Sequence, residues 1–574
     1  MIVIIFYDFE VFKYDWLVVA IDPMKKRIFE IANDPEKFSA LYEEYKNDIW
    51  GGYNNNHYDQ YITKGILLGM NPKKINDWII KKKKKGWAYS SLFRQIPMYN
   101  YDVKSRNDRG LKFYEGCMGS MIRESSISFD IDRKLTEEEI RETFVYCRHD
   151  VEETIKVFLK KVDDFNTIMY FIKHFKLPLA DVSLTKAQLA AKLLGANGKG
   201  HSFDDEFQFP ILDCLDLKKY RYIADWYKKP ENHNYSKSQD GVIVAGVEHK
   251  FSWGGGHGAR PKFRAKGDFL IVDVTAYYPS MQEKYKFGYR VMDHPENFEF
   301  IHGSNIKFKR EGNKKARQPF KILDNAISGQ MKQKSSKMYD PMGNNSICVN
   351  GQLLLLDLVE HLEPYCKLIQ NNTDGVLLQL MDYEKDFDII DRIVSEWEKR
   401  TGMKMDFETF FGEIFQKDVN NYLLIDRENG SIKARGSYVK KLSDLDCGDF
   451  PIVNKALVEY MVNGTPVEKT INSCDQLKEF QMVTKIGEKY EHMTHGNKVL
   501  NEKCVRAFAS TNPTAGGLKK LSIRTGKYEK VASSPENCFL FNDSVEGVKV
   551  PKELDKEFYI DMAKKRLNDF GVTL

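Results

Sequence analysis

The segment that most constrains this chain is the run Phe269-Leu270-Ile271-Val272-Asp273-Val274. Four consecutive apolar residues leave a strand without a polar face, so the segment belongs at the centre of a sheet covered on both sides. Asp273 stands near the end of that strand, where a carboxylate faces a cleft more often than the core. A glycine-rich turn, WGGGHGAR (Trp253 to Arg260), precedes it, and Pro279 in the following AYYPS is placed to force a turn or open a helix. A second aspartate, Asp374, comes 101 residues later in NNTDG, between the apolar runs Leu368-Ile369 and Val376-Leu378. Asp-Gly is a strong hairpin signal, and the turn alone would account for it.

At 574 residues the chain corresponds to roughly four average domains and can bury several cores. Hydrophobic residues make up 42% and charged residues 29%, and no apolar run approaches the ~18 residues needed to span a bilayer. This is the pattern of a soluble globular protein, and it excludes a small binding module, a disordered chain or a membrane-embedded one. The 87 basic and 82 acidic residues nearly cancel, a balance that can conceal a basic groove beside acidic sites. The nine cysteines (Cys117, Cys147, Cys214, Cys348, Cys366, Cys447, Cys474, Cys504, Cys538) form no CxxC pair and read as reduced cytosolic thiols. The opening MIVIIFYDFE lacks the basic start, long apolar stretch and cleavage site of a signal peptide.

The N-terminal region reads as strands (Ile2 to Phe6, Trp16 to Ile21, Arg27 to Ile31), a helix from Pro35 to Tyr45, a strand ending near Tyr53 and a helix after Asp59. That is an α/β nuclease-like pattern. Asp8 and Glu10, two apart at the end of the first strand, leave the same face and together can hold a divalent cation. Without a cation their like charges would repel and force protonation. Thr136 and Glu139 form a capping box, with Leu135 and Ile140 as its staple. In the helix that follows, Ile140, Phe144, Val151, Ile155 and Phe158 are expected to make the buried face, and Tyr146 and Asp150 share another. Four acidic positions and a tyrosine in this order form a kit for two-metal hydrolysis: carboxylates fix Mg²⁺, one ion generates hydroxide, and the phenol orients it. Taken singly, each has a plainer reading: a solvated strand end for Asp8 and Glu10, a helix cap for Asp59, a core aromatic for Tyr146.

If the strands of Asp273 and Asp374 lie side by side, their carboxylates converge on the two Mg²⁺ ions of in-line phosphoryl transfer. Between them Arg317, Lys321 and Asn325 fall at i, i+4 and i+8, a polar stripe on a helix expected to begin near Pro319. A lysine facing a cleft can pair with triphosphate oxygens, although a solvated basic face is the commoner fate. Another helix is expected across Gly351 to Leu362. LLID and IKARGSYVKK around the turn ENGS read as a hairpin carrying Lys433 and Arg435, suited to duplex phosphates. The run Lys81 to Lys85 reads more readily as a mobile electrostatic patch than as a specific site.

In this order Asp8-x-Glu10, Asn55-x-x-x-Asp59 and Tyr146-x-x-x-Asp150 resemble the three motifs of the 3'→5' proofreading exonuclease of family B DNA polymerases, an RNase H-like domain. The resemblance implies that Asp8, Glu10, Asp59 and Asp150 are metal ligands and Asn55 a DNA contact. Lys112, in GLKFYEGCMG, would be the family's lysine near the scissile phosphate, while its Ser-Leu pair has no counterpart near Val103 and Lys104. DVTAYYPS resembles motif A, which makes Asp273 a metal ligand and Val274 and Tyr278 nucleotide contacts, the Tyr278 ring lying beneath the incoming sugar. NTDG resembles motif C, with Asp374 as the main ligand and Asn372 where the family has an aspartate. KILDNAISG resembles motif B, keeping Lys321, Asn325 and Gly329 but carrying Ala326 for serine and Ser328 for tyrosine; Arg317 just ahead joins the implied nucleotide contacts. WGGGHGAR resembles the YxGG segment, implying DNA contacts at Trp253, Gly255 and Gly256. KDVNNY stands where the family has a primer-contacting KxY, with Asn420 for the lysine and Tyr422 kept.

The resemblance implies an α/β and α+β multidomain fold: an RNase H-like exonuclease domain (1–175), linker and first part of the palm (176–295), fingers (296–335), second part of the palm (336–430) and thumb (431–574). It implies a DNA-directed DNA polymerase with proofreading, using two Mg²⁺ per active site with Mn²⁺ as a substitute. Its partners would be primer-template DNA, single-stranded 3' ends, dNTPs and replisome proteins, with no membrane, in the cytoplasm, or the host cytosol if viral. Length and the N-terminal exonuclease look like the compact phage polymerases related to the protein-primed group. Only 48 residues separate Asp273 from Lys321 and 53 separate Lys321 from Asp374, leaving no room for the insertions that accompany protein priming and strand displacement. Ala326, Ser328 and Asn372 keep open a second reading, an exonuclease with a degenerate polymerase half. A non-catalytic nucleic-acid binding protein is the third.

Overall fold

The computed structural model describes residues 3–446 and 450–573. The chain forms two compact units: Met1–Thr185 with Leu442–Phe450 and Asp475–Asp555, and Lys186–Lys441 with Pro451–Cys474 and Lys556–Leu574.

In the first unit β1 (Ile4–Val11), β2 (Trp16–Asp22), β3 (Arg27–Ala32), β4 (Ile49–Gly52) and β5 (Tyr99–Asp102) make one sheet in the order β3-β2-β1-β4-β5. β1 runs antiparallel to β2 and parallel to β4. Alternation along β1 sends Ile5, Tyr7, Phe9 and Val11 into a core with Phe38, Leu41 and Tyr42 of the helix Pro35–Tyr45. On the other face Phe6 meets Phe158 of the helix Glu137–Lys160 at a centroid distance of 5.1 Å. β1 continues past its expected end at Phe6, because β2 keeps pairing through Asp8↔Val19 and Glu10↔Leu17. Ile2, its expected first residue, lies outside the described residues. β4 pairs only with Ile4 to Phe6, so β1 loses its β4 neighbour just where Asp8 and Glu10 begin.

The capping box of Thr136 and Glu139 is present at the start of Glu137–Lys160. The buried face differs from the expected one: Thr143, Cys147, Val151, Thr154, Val157 and Phe158 are buried, whereas Ile140, Phe144 and Ile155 are half-buried. A 24-residue helix turns its stripe through space, and its first turns pack on a separate cluster of Phe12, Leu17, Ile127 and Leu135. A three-stranded and a four-stranded sheet, drawn from Met482–Leu540, complete this unit. Seven cysteines are free thiols. Cys117 corrects the reading of reduced thiols throughout: it is disulfide-bonded. Cys447 lies outside the described residues.

In the second unit β6 (Ser238–Val244), β7 (Val247–Ser252), β8 (His257–Ala259), β9 (Phe263–Val274), β10 (Lys367–Asn371), β11 (Gly375–Leu380), β12 (Met405–Asp418), β13 (Asn421–Asp426) and β14 (Ile432–Arg435) form a nine-stranded sheet. Its order is β14-β13-β12-β9-β11-β10-β8-β7-β6. β9 is interior and covered on both faces as its composition demands. Leu270 and Val272 join a core with Leu353 and Leu354, while Phe269 and Ile271 join one with Phe410, Ile414 and Leu424.

Two helices start earlier than expected. The helix ending at Leu362 opens at Pro341, where Asp340 caps Gly343 N–H. Its polar first turns are buried because Asn345 and Asn350 donate to the carbonyls of Glu206 and Pro210. The helix Lys314–Ser328 is capped by Asn313 and contains Pro319 instead of beginning with it, since the cap outweighs the proline as a start signal. No helix among the described residues is long and apolar enough to cross a membrane.

Candidate active sites

The first acidic centre forms in the notch that β4 leaves beside β1. Asp59 is the first residue of the helix Asp59–Leu67, not its cap, and its Oδ1 accepts the Phe9 N–H at 3.3 Å. A backbone donor left open by the end of pairing is thus satisfied by the carboxylate that completes the cluster. Cys147, on the helix that covers this face, donates its Sγ–H to the Asp8 carbonyl at 3.4 Å. Ligand atoms of Asp8, Glu10 and Cys147 lie within 4.8 Å of one another. Burial, then the charges of Asp59, Glu10 and Asp150, push the Asp8 carboxyl well above the usual range. Glu10 is raised by burial, then by Asp150 and Asp59. Asp59 is pushed up to about 7 by burial. Asp8, Glu10, Asp59 and Asp150 therefore occupy one electrostatic site.

Lys112 enters the same site from the helix Leu111–Met118. Its Nζ bonds Asp150 Oδ1 at 2.7 Å, lies 3.1 Å from Glu115 Oε2 and sits 4.7 Å from the centre of the Tyr146 ring. Tyr146 is held a neutral phenol by burial and the charge of Asp150. Sequence reasoning missed three neighbours here. Cys147 was set aside with the scattered thiols. Glu115 is wholly buried three residues after Lys112 on one helical face, and His149, beside Asp150, places Nε2 3.8 Å from Glu115. Asn55, implied as a DNA contact, is fully buried, with Nδ2 donating to Asn100 Oδ1 at 3.1 Å and the Tyr101 carbonyl at 3.2 Å, so it braces the turn onto β5.

The second centre lies on β9. Asp273 has Gly375 of β11 and Asp406 of β12 as its cross-strand partners, and the Val274 N–H donates to the Asp374 carbonyl at 2.7 Å. Asp374 thus adjoins Asp273, and burial followed by the Asp374 charge pushes the Asp273 carboxyl up to about 6. Gly375 opens β11 with a φ that is not positive, so a left-handed backbone is not what requires a glycine there. A Cβ there would come within 2.0 Å of Asp273 Oδ1 and 2.6 Å of the Val272 carbonyl, so close approach demands the glycine. Asn372 turns its Oδ1 to the Thr373 N–H at 2.7 Å. Val274 is buried with its N–H engaged, which leaves none for a nucleotide. The Tyr278 ring packs beside Gly351, and its hydroxyl is raised by burial and by Cys348.

Lys433 lies 4.0 Å from Asp273 while paired with Glu408, and Arg435 acts on Asp273 from the same hairpin. Tyr422 is buried between Arg435 and the core of Phe269 and Ile271. Acidic Asp406 and Glu408 were not foreseen; Thr275 and Lys309 both bond Asp406. Arg317 bonds Asn305 at 2.8 Å, while Lys321 and Asn325 are exposed on the same stripe. Trp253, implied as a DNA contact, sits in an aromatic cluster. It is buried, stacks edge-on with Phe207 at 4.7 Å and Tyr227 at 5.2 Å, and donates to the Asn232 carbonyl. Gly255 and Gly256 abut Thr373 and Gln352, so these glycines admit the chain's own side chains next to the Asp374 turn.

The donor chemistry of both centres fits a hard divalent cation such as Mg²⁺. The ligands offered are carboxylate oxygens whose mutual repulsion a cation relieves, and burial holds the Cys147 thiol protonated, out of soft-metal chemistry.

No family model matches the chain, and no curated protein matches it. Among solved structures, it is similar over its full length to 78% of the family B DNA polymerase of the hyperthermophilic archaeon Pyrobaculum calidifontis, at 14% identity and a TM-score of 0.45.

Proposed function

We propose that the protein is a DNA-directed DNA polymerase with a 3'→5' exonuclease, each activity served by its own acidic centre. The observation that carries synthesis is the meeting of Asp273, on β9, with Asp374, in the turn that leads into β11, with Gly375 bare beside Asp273. Asp273 and Asp374 would hold Mg²⁺ at the synthetic centre, and Asp8, Glu10, Asp59 and Asp150 at the hydrolytic one. When bound, the cation lowers the pKa of the attacking hydroxyl or water and shields phosphate charge. The chain supplies the rest. Tyr146, kept protonated, donates its hydroxyl toward the attacking oxygen. Lys112, kept charged by Asp150 and Glu115 against the cost of burial, offers an ammonium to a phosphate oxygen. Tyr278 turns a ring face toward the nucleotide while Cys348 engages its hydroxyl. Lys433 and Arg435 offer cations to the primer strand.

A second reading, an exonuclease with a degenerate polymerase half, draws on the fuller constellation in the first unit and on Asn372, Ala326 and Ser328 in the second. Activity assays separate the two. Asp374→Ala is expected to abolish primer extension and leave degradation of single strands intact, with the reverse for Asp8→Ala. Absence of extension by the unmodified chain would leave the exonuclease reading standing alone.

A further inference from the structure

Neither acidic centre uses the five consecutive lysines Lys81 to Lys85, whose composition suggested a mobile patch. They form a turn wrapped around Trp78. The Trp78 Nε1–H donates to the Lys85 carbonyl at 3.0 Å, the Trp78 carbonyl accepts from Lys84 N–H at 3.1 Å, and Lys82 N–H donates to the Asp77 carbonyl at 2.9 Å. The ammonium of Lys84 stands 4.3 Å from the centre of the Trp78 ring. Lys83 holds the turn with a φ of 52°. Lys81 is balanced by Asp77 at 3.8 Å and Asp130 at 3.5 Å. No carboxylate among the described residues pairs with Lys83 or Lys85. Beside these cations the Trp87 side chain is 65% exposed, although a large apolar ring is normally buried.

The turn is built onto the first centre's own scaffold. Gly86 lies so close to Tyr61 that a Cβ would come within 2.1 Å of the ring, and Tyr61 is the third residue of the helix that begins with Asp59. Tyr58, just before Asp59, donates its hydroxyl to Asn76 Oδ1 at 2.8 Å on the helix leading into the turn. A cationic turn held by its own hydrogen bonds, with a single bare indole, matches the alternation of phosphate and base along a single strand, in which any base offers a π-face. An anionic membrane surface would call for a broader apolar face than Trp87 and Ile80 provide.

We propose that Lys81–Trp87 is an accessory site for single-stranded nucleic acid, with Lys83 and Lys85 on phosphates and Trp87 stacked on a base several nucleotides from the 3' end. The proposal rests on the hydrolytic reading of the neighbouring carboxylates, and its test separates the two. Binding of labelled oligodeoxythymidines of about 20 and about 4 nucleotides to the full-length protein is measured without divalent cation, across a salt series. For Lys83→Ala/Lys85→Ala/Trp87→Ala the long strand is expected to bind at least about tenfold more weakly, with a salt slope smaller by about 1.4. Short-strand affinity, and the rate at which Mg²⁺-supplied protein degrades short strands, should match the unmodified protein. Unchanged long-strand binding, or equal weakening for both lengths, overturns the accessory site while leaving the nuclease reading intact. Loss of binding to phosphatidylserine vesicles with oligonucleotide binding unaltered would assign the turn to a membrane and overturn it too. Failure of the unmodified protein to bind or cut any single strand would remove both.

Discussion

Gly375 shows how a residue's identity can be set by a neighbour 102 positions away in the chain. Its hydrogen faces the Asp273 carboxylate and the backbone of β9, so rotating one side chain cannot make room for a methyl group. Gly375→Ala is therefore expected to destabilise the second unit by about 1–3 kcal/mol and to abolish extension, with single-strand degradation retained. A combined melting and activity measurement checks this. His249 makes a separate statement about pH. Burial pushes its imidazole down to about 4, while Nδ1 contacts the Val247 carbonyl. The folded state therefore binds fewer protons than the unfolded chain between about pH 6.5 and 4. Its contribution is whole above that window and is lost as pH falls through it, on the order of 3 kcal/mol in all. Urea unfolding at pH 7 and pH 4.5 should show the gap between the native protein and His249→Gln narrowing or reversing at the lower pH.

At the scale of elements, legibility depended on how local each signal was. The capping box at Thr136, the helix Pro35–Tyr45 and the doubly covered β9 are written in a few consecutive residues, and the structure contains them. The carboxylates of the first centre were legible because their spacings are short and their order informative. The packing around Trp253 was not legible, because a glycine-rich segment does not name the side chains that approach it, here Thr373 and Gln352. Asp406 and Glu408 went unseen because acids alternating along a strand look like a solvated face until the register sets Asp406 opposite Asp273. Pro319 is the clearest conflict between local and global preference. Its helix begins five residues earlier, so the proline gives up one helical hydrogen bond. Pro319→Ala is expected to raise the melting temperature of the second unit through a gain on the order of 1 kcal/mol. A fall would mean that the ring, not the backbone, holds this helix in place.

Across the whole molecule, the fold brings together Asp8 and Asp150, 142 residues apart, in the first unit and Asp273 and Asp374, 101 apart, in the second, and neighbouring acids raise the proton affinity of Asp8 and Glu10 in the one and of Asp273 in the other. The central claim is that these are two independent centres, each built to hold divalent cations. Titration of the full-length protein with Mn²⁺, followed by electron paramagnetic resonance, tests it most directly. Asp8→Ala and Asp374→Ala should each remove part of the bound Mn²⁺, and the double variant should remove the two parts additively. Binding that either single substitution abolishes outright, or that neither reduces, would contradict the account.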